Sequence, residues 1–266
     1  LIDSVESLTA ASNALLAELG RPPLTAETVR GFVGHGVDLL VERVLRATGG
    51  IPAGGPAPEQ ARFRTIYDAD PLTGVTVYPG AREALSALAT AGHGLAVCTQ
   101  KPAAPARHLL EALGLMPPVT GLTAGDSLPV LKPDPMLVTH AADQIGTGPV
   151  IFIGDSEVDA ETARNAGVPF LLHPGGYRHG PLDAIPRAGT FSDWAEVPAL
   201  VTEVARRSRG AAPGTVRSSR RIRFGPTTRC PSRAGDSGSA KWRFTSAACR
   251  PGGSAPTTCP KRHGHG

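Results

Sequence analysis

From residue 81 to residue 172 the sequence alternates short apolar runs with stretches of helical periodicity, and this alternation permits few folds. It predicts strands at Gly94–Thr99, 119–124, Val150–Gly154 and 169–172, separated by helices at 81–91, 104–113, 135–145 and 158–166. Repeated strand, helix and strand units imply a parallel sheet with helices on both faces. Such sheets bind ligands at the carboxyl ends of their strands, so the residues that follow each strand deserve most attention.

The first 78 residues have a different pattern. Apolar residues recur at helical spacing over 4–19, where Asp3 and Ser4 are candidate N-caps and Gly20 is a candidate stop signal. Two more helices are predicted at 38–47 and 58–69, on either side of a loop rich in Gly and Pro. Residues 5–78 are therefore predicted to form a small all-helical unit.

Charge divides the chain near residue 205. Residues 206–266 hold 14 of the 27 Lys and Arg residues but only one of the 23 acidic residues, so the formal net charge of +4 hides an acidic globular part and a basic tail. The tail is rich in Arg, Ser, Gly and Pro and has few aliphatic residues. It buries too little apolar surface to offset its ordering entropy, so we expect disorder over 206–266.

Cysteine usage and hydropathy bear on where the protein is found. Cys98 lies in an apolar run, and the other three cysteines lie in the basic tail. A single cysteine in the globular part argues against a disulfide framework and favours a reducing cytoplasm. No window approaches the roughly 18 consecutive apolar residues of a membrane span, so we expect no membrane crossing. The sequence opens on Leu1 and not on Met, from which we expect that an upstream segment has been lost.

The strongest chemical signal follows the predicted strand Val150–Gly154. Asp155 ends that strand and Asp159 lies four residues further on, one turn into the next helix. Mg²⁺ prefers hard oxygen ligands and is commonly held by one or two carboxylates with a substrate phosphate. Asp155 is the candidate metal ligand, and Asp159 is a candidate to orient the other groups. The alternative is that Asp155 and Ser156 only cap the following helix.

Two further candidates follow the other strands. Thr99 ends the strand Gly94–Thr99, where a hydroxyl and the backbone N–H groups of a helix start suit a phosphate oxygen, although a Thr in this position is often a simple cap. Lys132 precedes Pro133, which fixes the chain locally and suits a cation that must hold one position. The alternative for Lys132 is a solvated loop lysine.

Thr99, Lys132, Asp155 and Asp159 have the order and spacing of the haloacid dehalogenase-like hydrolases, which this sequence resembles over residues 1–205. It resembles the bacterial phosphoglycolate phosphatases within that family in four stretches: Phe32-Val33-Gly34-His35-Gly36-Val37, Thr99-Gln100-Lys101-Pro102, Gly125-Asp126-Ser127-Leu128-Pro129 and Gly154-Asp155-Ser156-Glu157-Val158-Asp159. The resemblance implies a Rossmann-like core from residues 1–4 and 79–205, with the helical unit 5–78 inserted as a cap.

The resemblance also implies a function, which is the hydrolysis of a small phosphate monoester, most specifically 2-phosphoglycolate, through an aspartyl-phosphate with Mg²⁺. It assigns Thr99 and Lys132 to the transferring phosphoryl group and Asp155 to the metal, with Asp159 as a further catalytic residue. Gln100 and Lys101 would bind substrate. The alternatives are another small sugar phosphate as substrate, or phosphate binding without turnover.

Within the family the first strand ends in Asp-x-Asp-Gly-Thr-Leu, often followed by Ile-Asp-Ser. Here Leu1-Ile2-Asp3-Ser4 matches only the end of that pattern. The resemblance therefore places the nucleophilic aspartate, the acid/base aspartate and their strand ahead of Leu1, and Asp3 is not assigned the nucleophilic role. A chain without these residues is expected to be inactive.

In the cap, the loop containing Gly34 and His35 is expected to reach over the site. His35 is a candidate contact for the substrate carboxylate, with a solvated loop histidine as the alternative. Two departures from the family pattern, Gln100 in place of Asn and Leu131 before the lysine, remove no chemical role.

The basic tail allows three interpretations. Its arginines, such as Arg220 and Arg221, resemble a nucleic-acid-binding arm, but no accompanying motif is present and no specific nucleic acid partner is expected. Its widely spaced Cys and His residues lack the paired pattern of zinc sites. We favour out-of-frame translation, because the Arg, Pro, Gly and Ser bias is typical of a GC-rich gene translated in the wrong frame.

Overall fold

The computed structural model describes residues 1–34, 36–210 and 243–248 of the 266-residue chain, and side chains up to residue 208. The strands are β1 (Ile2–Asp3), β2 (Thr76–Val77), β3 (Gly94–Thr99), β4 (Gly121–Thr123), β5 (Val150–Gly154), β6 (Phe170–Leu172), β7 (Gly189–Thr190) and β8 (Arg243–Ala248). The α-helices are α1 (Val5–Glu18), α2 (Ala26–Arg30), α3 (Val37–Ala47), α4 (Ala57–Ala69), α5 (Ala81–Thr90), α6 (Ala103–Ala112), α7 (Met136–Asp143), α8 (Glu157–Ala166) and α9 (Val197–Gly210). Two short 3₁₀ helices lie at Leu182–Ala184 and Trp194–Glu196.

A six-stranded sheet forms the centre of the fold, in the order β4-β3-β8-β5-β6-β7. Every neighbouring pair is parallel, with Ala96 opposite Gly121 at one side and Phe152 opposite Phe170 at the other. This confirms the α/β class and the parallel sheet predicted from the sequence. The strands β3 and β5 have the bounds that the apolar runs predicted.

Both faces of the sheet are buried under helices. Successive side chains of a strand point to opposite faces, so each strand contributes to two apolar clusters. One face carries Leu95, Val97, Ile151, Ile153 and Leu171, and packs against apolar residues of α5 and α9. The other carries Ala96, Cys98, Phe152, Phe170 and Leu172, and packs against α7 and α8. The near-continuous apolar runs of β3 and β5 are the sequence signature of this two-sided burial.

The helices α1 to α4, here called the helical unit, enclose a separate apolar cluster. Its fully buried members include Leu16, Val41, Leu45 and Phe63. The short helix α2 was not predicted; its N-cap is Thr25, whose side chain accepts a hydrogen bond from the backbone N–H of Thr28. The division into cap and core at residues 5 and 78 stays a prediction, although β1 and β2 pair at these two connections.

Ser4 occupies the N-cap position of α1 but makes no side-chain capping bond. The Asp3 carboxylate accepts the hydrogen bond from the backbone N–H of Val5 instead, at 3.0 Å. Asp3 is thus the effective cap, which leaves the Ser4 hydroxyl directed at other partners.

The prediction of disorder over 206–266 is wrong for two segments. Helix α9 continues to Gly210, because Val197, Val201, Val204 and Ala205 form a buried stripe at helical spacing on the sheet. Residues 243–248 form β8, which lies between β3 and β5 and pairs with both. The backbone groups of two central strands are satisfied there, although the segment has no strong apolar pattern. Residues 211–242 and 249–266, including the candidate zinc ligands of the tail, lie outside the described residues.

Within the described residues, no helix is long and apolar enough to cross a lipid bilayer.

Candidate active site

The carboxyl ends of β3 and β5 meet at one edge of the sheet, below the helical unit. A cleft of ≈ 520 Å³, open to solvent, lies at this edge. Its lining residues are Ile2, Ser4, Gly34, Gln100, Lys101, Lys132, Asp155, Ser156, Val158, Asp159 and Tyr177. The structure therefore brings together most of the residues that the sequence singled out. Thr99 is not a lining residue, and His35 lies outside the described residues.

A buried ion pair forms the floor of the cleft. The Lys132 ammonium donates to Asp159 Oδ1 at 2.7 Å, and the two side chains are 6% and 1% exposed. The second oxygen of Asp159 accepts hydrogen bonds from the Ser156 hydroxyl at 2.8 Å and from the Asp155 backbone N–H at 3.1 Å. Asp159 thus holds Lys132 and the start of α8 in fixed positions.

The capping interpretation of the residues after β5 holds for Ser156 but not for Asp155. Ser156 is the N-cap of α8, since its hydroxyl accepts a hydrogen bond from the Asp159 backbone N–H at 3.3 Å. Asp155 lies in the cleft and does not cap the helix. Burial raises the pKa of Asp155 to about 7, and the adjacent Asp159 carboxylate adds to the increase. A cation in the cleft would oppose both effects.

Two glycines allow the chain to approach these carboxylates closely. A Cβ atom at Gly176 would lie 2.2 Å from Asp155 Oδ2, and one at Gly154 would lie 2.6 Å from the Cβ of Asp159. Neither position accommodates a side chain without displacing an aspartate. The two glycines are therefore part of how the fold places Asp155 and Asp159.

Thr99 is buried under the loop that follows β3. Its hydroxyl accepts a hydrogen bond from the Lys101 backbone N–H at 3.0 Å. The first backbone N–H of α6, that of Ala103, donates to Asp126 at 2.9 Å, so this helix N-terminus is already capped. The Gln100 side chain donates to the Lys132 carbonyl at 3.2 Å and so joins this loop to the one carrying the lysine.

Lys101 extends from the same loop towards the helical unit. It is 4% exposed, and its ammonium donates a hydrogen bond to the hydroxyl of Tyr67 on α4. The ammonium also lies 4.3 Å from the centre of the Tyr67 ring, within the range of a cation–π contact. Lys101 therefore connects the sheet edge to the helical unit.

Gly34 lies where the helical unit meets the loop after β6. A Cβ atom there would lie 3.0 Å from His179 Nε2, and this nitrogen is 2.7 Å from the Val33 carbonyl. Glu157 in turn accepts from the backbone N–H groups of His179 and Gly180. The loop over the cleft is thus fixed to the start of α8.

Sequence reasoning missed a polar network at the edge of the cleft. The Tyr177 hydroxyl accepts from the Ser4 backbone N–H at 2.9 Å and donates to Asp3 at 2.8 Å. Arg30 donates to the other Asp3 oxygen at 2.7 Å and lies over the Tyr177 ring. Burial opposes ionisation of Asp3, but the hydrogen bonds from Arg30, Val5 and Tyr177 outweigh it and lower its pKa. The position of Tyr177, shortly after β6 at the carboxyl edge, was the available signal.

The chain belongs to the haloacid dehalogenase-like hydrolase family, whose model matches residues 1–173. Among curated proteins, it is 42% identical over 202 residues to a phosphoglycolate phosphatase of Cereibacter sphaeroides, an alignment that covers 76% of this chain and 93% of the relative. It is 40% identical over 204 residues to a phosphoglycolate phosphatase of Rhodospirillum rubrum, covering 74% and 85%.

A solved structure gives the same assignment. The crystal structure of a predicted phosphoglycolate phosphatase from Haemophilus somnus superposes with a TM-score of 0.69 at 25% identity. The superposition covers 76% of this chain and 93% of the other. The resemblance recognised in the four sequence stretches is thereby confirmed.

Proposed function

We propose that this chain carries the site of a magnesium-dependent phosphatase that hydrolyses 2-phosphoglycolate to glycolate and phosphate. The observation that carries the proposal is the buried Lys132–Asp159 pair beside Asp155, at the carboxyl edge of a parallel sheet. Such an edge is where α/β folds bind ligands, and a fixed cation next to a carboxylate suits a phosphate together with a metal ion. The choice of 2-phosphoglycolate as substrate rests on the relatives, which are named phosphoglycolate phosphatases.

Asp155 would hold the Mg²⁺ ion. No group of three or more His, Cys, Asp or Glu side chains suited to a metal ion occurs in the part of the chain that the structure describes. Asp155 alone nevertheless fits Mg²⁺, which keeps several waters and often takes only one or two protein carboxylates. When bound, the ion neutralises charge on the phosphoryl group.

Lys132 would neutralise a phosphate oxygen in the cleft. Asp159 keeps that ammonium in place and would act by orienting it. Thr99 and Gln100 shape the loop beside the site, and the Thr99 hydroxyl, which accepts from the Lys101 backbone N–H, would donate its own proton to the phosphoryl group. Phosphoryl transfer depends mainly on positioning and charge stabilisation, which these residues would supply.

The nucleophile follows from the family resemblance, which places an aspartate ahead of Leu1. Its carboxylate oxygen would attack phosphorus as the bond to the glycolate oxygen breaks and that oxygen takes a proton. Water would then cleave the aspartyl-phosphate and release inorganic phosphate. Without such a residue, the site would bind phosphate and turn nothing over, which is the second candidate function.

The test compares three chains for phosphate release from 2-phosphoglycolate and from a set of small sugar phosphates, with Mg²⁺ and with EDTA. They are the chain of residues 1–266, the same chain with Asp-Leu-Asp-Gly-Thr and a preceding apolar strand ahead of Leu1, and the extended chain with its first aspartate replaced by Asn. We expect Mg²⁺-dependent turnover by the second chain alone, with 2-phosphoglycolate preferred.

Equal turnover by the first and second chains would refute the placement of the nucleophile. A preference for a sugar phosphate would refute the substrate.

A cytoplasmic location is part of the same proposal and rests on the burial of Cys98, the single cysteine whose side chain the structure describes, as a free thiol.

A further inference from the structure

Residues 1–208 contain only two lysines, Lys101 and Lys132, and both line the same cleft. All the other basic side chains in this part of the chain are arginine or histidine. Lys132 has a carboxylate partner at 2.7 Å. Lys101 is equally buried, yet no ion pair joins it to any Asp or Glu side chain that the structure describes.

A buried ammonium without an anionic partner is costly, because burial removes its hydration and no counter-charge replaces it. The Tyr67 hydroxyl accepts one of its three N–H donors, and the Tyr67 ring faces the charge. Both interactions orient the ammonium, but neither neutralises it. Among the described residues no carboxylate balances the Lys101 charge, so an anionic ligand would supply the counter-charge.

The side chains beyond Lys101 are mostly apolar. A space of ≈ 270 Å³, open to solvent, adjoins the cleft and shares Ser4 and Lys101 with it. Its other lining residues are Leu8, Val33, Gly36, Val37 and Leu40. Those walls are apolar side chains and one glycine, so Lys101 is the one charged side chain among the described residues that line this space.

We propose that Lys101 and Tyr67 form a second anion subsite, which takes the carboxylate of a short phosphorylated carboxylic acid whose phosphate lies by Lys132. The inference rests on the proposed function and specifies how that site would select its substrate. An ammonium supplies charge-assisted hydrogen bonds to a carboxylate, and a neutral group of the same size cannot replace them. Because Tyr67 belongs to α4, recognition of the carboxylate requires the helical unit to be in place over the sheet edge.

The test is a binding measurement on the full 266-residue chain, which needs no turnover. Calorimetric Kd values are compared for 2-phosphoglycolate and for 2-hydroxyethyl phosphate, in which a neutral hydroxymethyl group replaces the carboxylate. We expect the parent chain to bind 2-phosphoglycolate about 10- to 100-fold more tightly, as a charge-assisted hydrogen bond would give. In Lys101→Gln the two Kd values should fall within about 3-fold of each other, with that for 2-hydroxyethyl phosphate unchanged.

Two further variants separate recognition from folding. Lys101→Arg keeps the charge and should recover part of the preference, and Tyr67→Phe keeps the ring but loses the hydroxyl, so it should reduce the preference by about 3- to 10-fold. Arg46→Gln removes an exposed cation from α3 as a matched control and should leave the preference intact. If Lys101→Gln fails to fold, the preference in Tyr67→Phe and Lys101→Arg decides the question.

Equal loss of affinity for both ligands in Lys101→Gln would overturn the inference, and so would a parent chain that does not distinguish them. Selective binding through Lys101 without turnover, even in the N-terminally extended chain, would leave the subsite standing and refute the phosphatase. Turnover of both esters at equal kcat/KM, unaffected by Lys101→Gln, would refute the subsite and leave the phosphatase standing.

Discussion

Lys132 and Lys101 line one cleft and are similarly buried, but their surroundings differ in charge. Lys132 has a carboxylate partner whose other oxygen is held by Ser156 and by the backbone, so its position is fixed before any ligand arrives. Lys101 has a phenol as its partner. Burial alone does not assign a role to a cation, because the charge of its nearest partner decides whether the protein itself already balances the buried charge.

The largest expected effect comes from removing the carboxylate of the first pair. Asp159→Ala should lower the free energy of unfolding by about 3 kcal/mol, because it leaves the buried Lys132 ammonium without its main counter-charge. Urea denaturation followed by circular dichroism measures it. Glu161→Gln, which breaks an exposed pair with Arg164 on the same helix, is the matched control and should cost less than about 0.5 kcal/mol. Similar losses in the two variants would show that the buried pair contributes no more to the free energy of unfolding than the exposed pair does.

The next largest effect is expected at Gly176, where the backbone lies close to the Asp155 carboxylate. Gly176→Ala should destabilise the protein by about 2 kcal/mol, because its Cβ atom would overlap Asp155 Oδ2 and force a rearrangement. It should also weaken Mg²⁺ binding, measured by calorimetry, since Asp155 would be displaced. Gly54→Ala adds a methyl group where nothing lies within 4 Å and should change neither quantity. Unchanged Mg²⁺ affinity in Gly176→Ala would argue against Asp155 as the ligand.

A smaller effect is expected at the network that joins the helical unit to the loop after β6. Asp3→Asn should cost about 1 kcal/mol at neutral pH, since its hydrogen bond from Arg30 is charge-assisted but partly exposed to solvent. The pKa of Asp3 is lowered in the folded protein, so its contribution is present above the unfolded pKa of about 3.9 and is lost as the pH falls through the folded value.

The difference in stability between parent and Asp3→Asn should therefore shrink below about pH 4. Denaturation at a series of pH values measures this. A difference that grows on acidification would mean that the sign of the pKa shift is wrong.

The smallest effect is expected at the surface of the helical unit. Arg62 makes two hydrogen bonds to Glu18, but both side chains are exposed, so water and salt screen the pair. Arg62→Gln should leave the urea midpoint unchanged within error. A clear loss would show that the geometry of an ion pair outweighs its burial in this protein, against the contrast drawn between the two lysines.

Much of the fold and part of the site could be predicted because they depend on local patterns. The apolar runs of β3 and β5 predicted these strands to the residue. The rule that ligands bind after parallel strands singled out Asp155, which lines the cleft, and Thr99, which does not. Helix α2 escaped prediction because five residues carry almost no periodicity. Tyr177 escaped because its partners, Ser4 and Asp3, are more than 170 residues away in sequence.

The class of sheet and the two-sided burial of its strands could be predicted from the sequence alone, since near-continuous apolar runs alternate with stretches of helical periodicity. The residues that follow those runs gave the side chains at the carboxyl edge. The pairing of Asp159 with Lys132, the contact of Lys101 with Tyr67 and the place of β8 between β3 and β5 became visible only in the folded structure. Those outcomes join segments distant in the chain, and which distant groups meet depends on the packing of the whole fold.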